Sequence, residues 1–232
     1  MFEKPIFVAL DTADPERAAG WVEAVRPHVG GVKLGLEFVC ANGPEGVRRI
    51  VALGLPVFLD LKYHDIPNTV AGAVRATAGL GVAMLSVHAA GGPRMMRAAV
   101  AAAREAEGNA RPLVLGVTVL TSLDDTDLLG IGQYGPAAVQ AERLAGLAMD
   151  CGLDGVVCSH VEIQPLRELC GPVCKLIVPG IRPRPEEAGD QKRFTTPRRA
   201  LELGADVLII GRPITRAGEP ARAAAQIAAE LA

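Results

Sequence analysis

Aromatic side chains are nearly missing from this chain: they make up 3% of its 232 residues, although half of the residues are hydrophobic. Its core must therefore be aliphatic and rich in alanine. That suits helices packed on parallel strands better than an aromatic-rich β sandwich. No charge of either sign dominates, because 24 basic residues face 26 acidic ones and leave −2. Such a balance offers no global basic excess for nucleic acid or a membrane surface. Paired CxxC zinc spacing is missing too. The five cysteines (Cys40, Cys151, Cys158, Cys170 and Cys174) are odd in number. The Gly-Pro-Val spacer between the last two is a weak metal or redox signal, and small buried thiols in a reducing cytosol are the better reading. No basic lead or cleavage site precedes the apolar segment Pro5 to Leu10. No apolar run approaches the roughly 18 residues that a membrane helix needs. These absences leave a soluble, cytoplasmic protein as the expectation.

What is present is an alternation of short apolar runs with helical sequence. The runs are Ile6 to Leu10, Gly31 to Gly35, Pro56 to Lys62, Val82 to His88, Pro112 to Leu120, Gly155 to Cys158, Lys175 to Val178 and Asp206 to Ile210. Helical stretches follow them, including Gly46 to Leu53, Pro67 to Leu80, Ala137 to Asp150 and Glu162 to Leu169. Thr12 or Asp14 can cap the first helix, with Pro15 in its first turn. Continuous apolar strands are buried on both faces, as in parallel sheets. Eight such units without a linker-like break predict one (β/α)8 TIM-barrel domain over residues 1–232. A doubly wound open sheet shares this alternation, because periodicity alone does not close a barrel.

Chemistry concentrates in Phe58 to Thr69. Asp60 and Lys62 lie two residues apart at a strand end, which places them on one face of an extended strand with Leu61 on the other. Asp65 follows just beyond, before Pro67 opens a helix. Two carboxylates close to one ammonium can remain ionised together, whereas two alone tend to share a proton. Strand-end ion pairs are commonly inert. Here a second charged pair, Asp11 and Lys33, also stands at the ends of apolar strands. In a barrel, chemistry gathers at the carboxyl ends of the strands, where Asp11, Lys33, Asp60, Lys62, Thr121, Arg182, Gly211 and Arg212 all fall. The turn at Gly211-Arg212, with the long segment Pro179 to Pro197 that carries Arg182 and Gln191, occupies the barrel positions where phosphate often binds. An arginine there supplies paired donors that match phosphate oxygens. Thr121 to Pro136 is a second long loop, and long loops in compact domains are often lids.

These residues resemble the orotidine 5′-monophosphate decarboxylase family, in its compact bacterial type. The likeness runs through Ala9 to Asp11, Val32 to Gly35, Phe58 to Val70, Val87 to Gly92 and Val117 to Ser122. It continues through Gly152 to Ser159, Pro179 to Pro183, Gly189 to Gln191 and Ile210 to Pro213. The resemblance implies release of CO2 from orotidine monophosphate to give UMP, without metal or organic cofactor. It makes Lys62 the proton donor and sets Asp60 beside the departing carboxylate. Lys33 and Asp11 complete the array and hold the ribose hydroxyls. Thr121 or Ser122 contacts the pyrimidine, Gln191 bridges base and phosphate, and Gly211 and Arg212, assisted by Arg182, hold the phosphate. The family builds its site across a homodimer, so Asp65, Ile66 and Thr69 are expected to reach the partner's site.

Three other readings share parts of this pattern. A metal-assisted sugar-phosphate decarboxylase or synthase of the same superfamily has a metal-holding carboxylate where this chain has Lys33. A Schiff-base aldolase needs a neutral lysine, which two flanking aspartates disfavour at Lys62. A non-catalytic barrel for phosphorylated ligands has no need for Asp60, Lys62 and Asp65. Blander roles suit His88 (a hydrogen-bonded core histidine), His64 (pointing away from Lys62), Trp21 (helix packing) and Gly91-Gly92 (a tight helix start).

Overall fold

The computed structural model describes residues 2–106, 111–183 and 195–231. Eight strands form a closed, all-parallel barrel in sequence order: β1 (Ile6–Ala9), β2 (Gly31–Leu34), β3 (Val57–Tyr63), β4 (Met84–His88), β5 (Leu113–Val117), β6 (Gly155–Val157), β7 (Lys175–Val178) and β8 (Val207–Ile210). Closure is made by β8 pairing with β1, with Phe7 opposite Ile209. The open doubly wound alternative is thereby excluded. This is a TIM barrel.

The main helices are α1 (Pro15–Val25), α2 (Leu36–Val51), α3 (Pro67–Ala78), α4 (Gly92–Arg104), α5 (Asp125–Gly130), α6 (Ala137–Asp150), α7 (Ile163–Cys170), α8 (Pro197–Glu202), α9 (Arg212–Thr215) and α10 (Pro220–Ala229). Of the two candidate caps for α1, Asp14 serves: its carboxylate accepts the N–H groups of Glu16 and Arg17. Helix α2 begins ten residues before the expected Gly46, with buried Phe38 anchoring its first turns. Gly43-Pro44 does not end it. Gly43 takes φ 62°, open to glycine, and Pro44 restarts the helix beyond the kink. Strand β5 stops at Val117 rather than Leu120, and the long loop after it contains α5, capped reciprocally by Asp124 and Asp127.

Two apolar layers follow from strand alternation. Phe7, Ala9, Phe58, Met84, Leu115, Val117, Ile177, Val207 and Ile209 fill the barrel interior. Val8, Leu10, Val32, Leu34, Leu59 and Leu85 pack outward under the helices, as does Trp21 at the margin of that layer. The inward rows explain where the charges stand. Asp11 extends the row Phe7, Ala9; Lys33 follows Gly31; Asp60 follows Phe58. Each polar group is therefore delivered at the carboxyl end of an otherwise apolar inward row.

The cysteines form no disulfide, and Cys151, Cys158 and Cys174 are buried. Burial pushes the Cys174 thiol up to about 12 and holds Cys158 well above the ordinary thiol range. No helix among the described residues is long and apolar enough to cross a membrane.

Candidate active site

The barrel brings Asp11, Lys33, Asp60 and Lys62 into one row of alternating charge. Lys33 Nζ lies 3.4 Å from Asp11 Oδ1 and 3.9 Å from Asp60 Oδ2. Lys62 Nζ donates to the same Asp60 Oδ2 at 2.8 Å. Two ammonium groups thus share one carboxylate oxygen. The row is graded in exposure rather than buried throughout: side-chain exposure is 10% for Asp60, 13% for Lys33, 32% for Lys62 and 59% for Asp11. The deepest charge is the one with most partners, as the cost of burying an ion requires.

Asp60 and Lys62 share a face as expected, yet the strand between them is not plainly extended. Pairing of β3 with β4 shifts register between Leu59 and Tyr63. Lys62 takes φ 52°, and among the described residues it alone has positive φ without being glycine. Leu61 and Tyr63 on either side pack into the outer layer, so Lys62 is turned to the interior between them. Ser86 on β4 meets both members of the pair. Its hydroxyl donates to Asp60 Oδ1 at 2.8 Å and accepts the Lys62 backbone N–H at 2.9 Å. Reading the sequence did not single out Ser86. The available signal was a hydroxyl in the middle of the apolar strand Met84 to Val87.

Asp65 departs from the expectation that two carboxylates flank Lys62 within one chain. It is exposed, forms no ion pair among the described residues, and accepts the N–H of Ile66 at 2.6 Å. Ile66 is 66% exposed and Thr69 is also at the surface, so this corner points outward at the mouth. Its position past the end of β3, where the chain turns into α3, takes the carboxylate away from the array.

A cleft of about 150 Å³ covers the three deeper charges of the array, with Lys33, Phe58, Asp60, Lys62 and Thr121 in its wall; Asp11 lies outside it. Val117, Val119 and Leu120 face the charges across it. Thr121 reaches this cleft, whereas Ser122 is exposed and does not line it. A larger cleft, about 780 Å³, opens at the amino end of the barrel between Phe2, Arg111 and Lys175. None of the charge row lines it, and strand direction places the chemistry at the other end.

Gly211 ends β8 against β1. A Cβ there would stand 3.4 Å from the Ala9 Cβ and 3.7 Å from Asp11 Oδ2. Arg212, half-exposed, is the first residue of α9. Arg182 is 5% exposed and donates to the Ile181 carbonyl at 2.9 Å. Its backbone N–H meets the Thr195 carbonyl, beside a bridge between Ile181 and Thr195. Gln191 lies outside the described residues.

The two histidines near the array stack on each other, with ring centroids 5.2 Å apart. His88 Nδ1 accepts the Ala90 N–H, so the expected hydrogen bond is present, but the ring is half-buried at the strand end rather than in the core. Burial first, then the charges of His64 and Lys62, hold its imidazole below the ordinary value. His64 is exposed and lies over the His88 ring. Gly91 closes the turn before α4, and Gly92 begins that helix with φ 82°.

Fold and charge row together define a class: a (β/α)8 barrel with a row of alternating fixed charges at its strand ends. The model of the "Orotidine 5'-phosphate decarboxylase / HUMPS family" matches residues 4–227. A protein of Paramagnetospirillum magneticum named orotidine 5'-phosphate decarboxylase is 53% identical over 230 residues, 98% of each chain. One of the same name from Rhodospirillum rubrum is 52% identical over 235 residues, covering 100% of this chain and 95% of the relative. The crystal structure of orotidine 5'-phosphate decarboxylase from Lactobacillus acidophilus superposes with a TM-score of 0.88 at 36% identity, over 99% of both chains. The chain belongs to the orotidine 5'-phosphate decarboxylase / HUMPS family, and it is an enzyme, a carbon–carbon lyase.

Proposed function

We propose that the chain decarboxylates orotidine 5′-monophosphate to UMP and CO2 in de novo pyrimidine biosynthesis, with Lys62 as proton donor. The observation that carries this reading is the Asp60 carboxylate shared by Lys62 at 2.8 Å and Lys33 at 3.9 Å, set in a cleft at the barrel's carboxyl end. Breaking the bond between the ring carbon and its carboxylate leaves an electron pair on that carbon, with little resonance relief. The Lys62 ammonium, already oriented, stabilises the developing negative charge and then transfers a proton to it. Its amine regains a proton from water after product leaves. Asp60 faces the departing carboxylate, and Lys33 and Asp11 continue the row towards the ribose hydroxyls.

Of the two candidates for the pyrimidine contact, Thr121, which lines the cleft, is the one that serves; Ser122 stays outside it. Gly211 and Arg212 take the phosphate, and Arg182 assists by its charge and by fixing the Ile181–Thr195 bridge. Gln191 spans base and phosphate. Phosphate binding far from the reacting carbon contributes to alignment there. The molecule works as a homodimer in which Asp65, Ile66 and Thr69 enter the partner's mouth. Their side chains' exposure where β3 turns into α3 supports that assignment. The reaction needs no metal: Lys33 puts an ammonium between Asp11 and Asp60, where a divalent cation would be repelled.

The test is an ultraviolet assay of orotidine monophosphate loss, run with excess chelator, on the native protein and on Lys62→Ala. Native activity should persist with chelator. Lys62→Ala should still bind UMP while kcat falls about 10²- to 10⁴-fold, the range for removing a positioned proton donor. Near-normal turnover in that variant would remove Lys62 from the role.

A further inference from the structure

We propose that Ser86 is a positioning residue for the reaction, acting through Asp60 and Lys62; this rests on the roles assigned above to those two residues. Ser86 stands in the middle of β4 between Leu85 and Val87 and is 0% exposed. A hydroxyl in such a place costs free energy unless its hydrogen-bonding capacity is used. Here it is used twice, and both partners belong to the charge row. The hydroxyl hydrogen goes to Asp60 Oδ1, and the oxygen lone pair receives the Lys62 main-chain N–H.

The two bonds fix different things. Holding Asp60 Oδ1 leaves Oδ2 turned to both ammonium groups, so the carboxylate cannot rotate without losing a bond. Holding the Lys62 N–H pins the left-handed residue inside the break in β3–β4 pairing. One side chain therefore sets the relative position of the proposed proton donor and the carboxylate beside it. It touches neither substrate nor the reacting carbon in this scheme. A displacement near 1 Å at a reacting group is enough to cost about 100-fold in rate.

The experiment compares Ser86→Ala, Ser86→Val and Ser86→Thr by steady-state kinetics on orotidine monophosphate, with Lys62→Ala alongside and UMP affinity by calorimetry. Valine and threonine match in shape, so their difference isolates the hydroxyl from packing. Alanine and valine should lower kcat about 10- to 100-fold, as loss of a hydrogen bond to a charged group implies, with KM and UMP affinity within about threefold. Threonine should keep kcat within about threefold of native. Should valine fail to fold, alanine against threonine makes the same comparison. Equal losses in the threonine variant and its hydroxyl-free counterpart would reduce Ser86 to packing, and undiminished kcat in Ser86→Ala would remove it altogether. A dead Lys62→Ala beside an unaffected Ser86→Ala overturns this inference alone. An active Lys62→Ala overturns the reading beneath it.

Discussion

At Lys62 the chain accepts a left-handed backbone that a residue with a Cβ rarely adopts, at a cost on the order of 1–3 kcal/mol. The surroundings enforce it: Leu61 and Tyr63 are drawn outward, and Ser86 and Asp60 hold the residue from within. Nearby, His88 makes stability depend on pH. Its imidazole is held below the ordinary 6.5 by burial, then by His64 and Lys62. Between the folded value and 6.5 the unfolded chain binds more protons at this site. The contribution of His88 is therefore fully present above about 6.5 and is lost as pH falls through the folded value. Thermal melts from about pH 7.5 down to about pH 5 should show Tm falling below about 6.5, with a flatter dependence in His88→Gln. An identical slope in both proteins would refute the linkage.

Among the elements, β2 shows how the inward row is spaced for its charge. Gly31 precedes Lys33 on the interior face, opposite Phe7 of β1. A Cβ at Gly31 would strike the Phe7 ring and the Pro56 carbonyl, so the small residue makes room for a large neighbour. Gly31→Ala should destabilise by about 1–3 kcal/mol through overpacking, read as a lower urea midpoint with an unchanged m-value. An unshifted midpoint would mean that the strand yields without cost. Elements also account for the boundaries that sequence reading misplaced. The helix expected from Gly46 extends back to Leu36, because tertiary burial of Phe38 holds the turns before the Gly43-Pro44 kink in helix. The segment after Val117 reads as strand until β6 ends at Val157, leaving nothing for a longer β5 to pair with.

For the whole molecule, the closed barrel assembles Asp11, Lys33, Asp60 and Lys62 but leaves Asp65 outside their row. The proposed homodimer gives that carboxylate a place, and complementation tests it. Lys62→Ala and Asp65→Ala should each be nearly inactive alone. Mixed one to one under exchange, half of the dimers are hybrids, and each hybrid has one site with both native residues. Activity should then return to about one quarter of native, the statistical share for a two-fold assembly. Mixtures no more active than either parent would place Asp65 in its own subunit's chemistry or in none.

By itself, the order of residues determined the eight apolar runs, the helices between them and the delivery of each charge at the end of an inward row. Those features are local, because strand alternation and helix capping act over a few neighbours. The motif Asp60 to Asp65, together with Lys33 and Asp11, also made the chemistry legible. Tertiary structure alone decided that the sheet closes, since closure depends on β8 finding β1 across nearly the full length of the chain. It decided the graded burial of the charges, the exclusion of Asp65 and the double grip of Ser86, because distances between side chains on separate strands are set by register and by a local break in it.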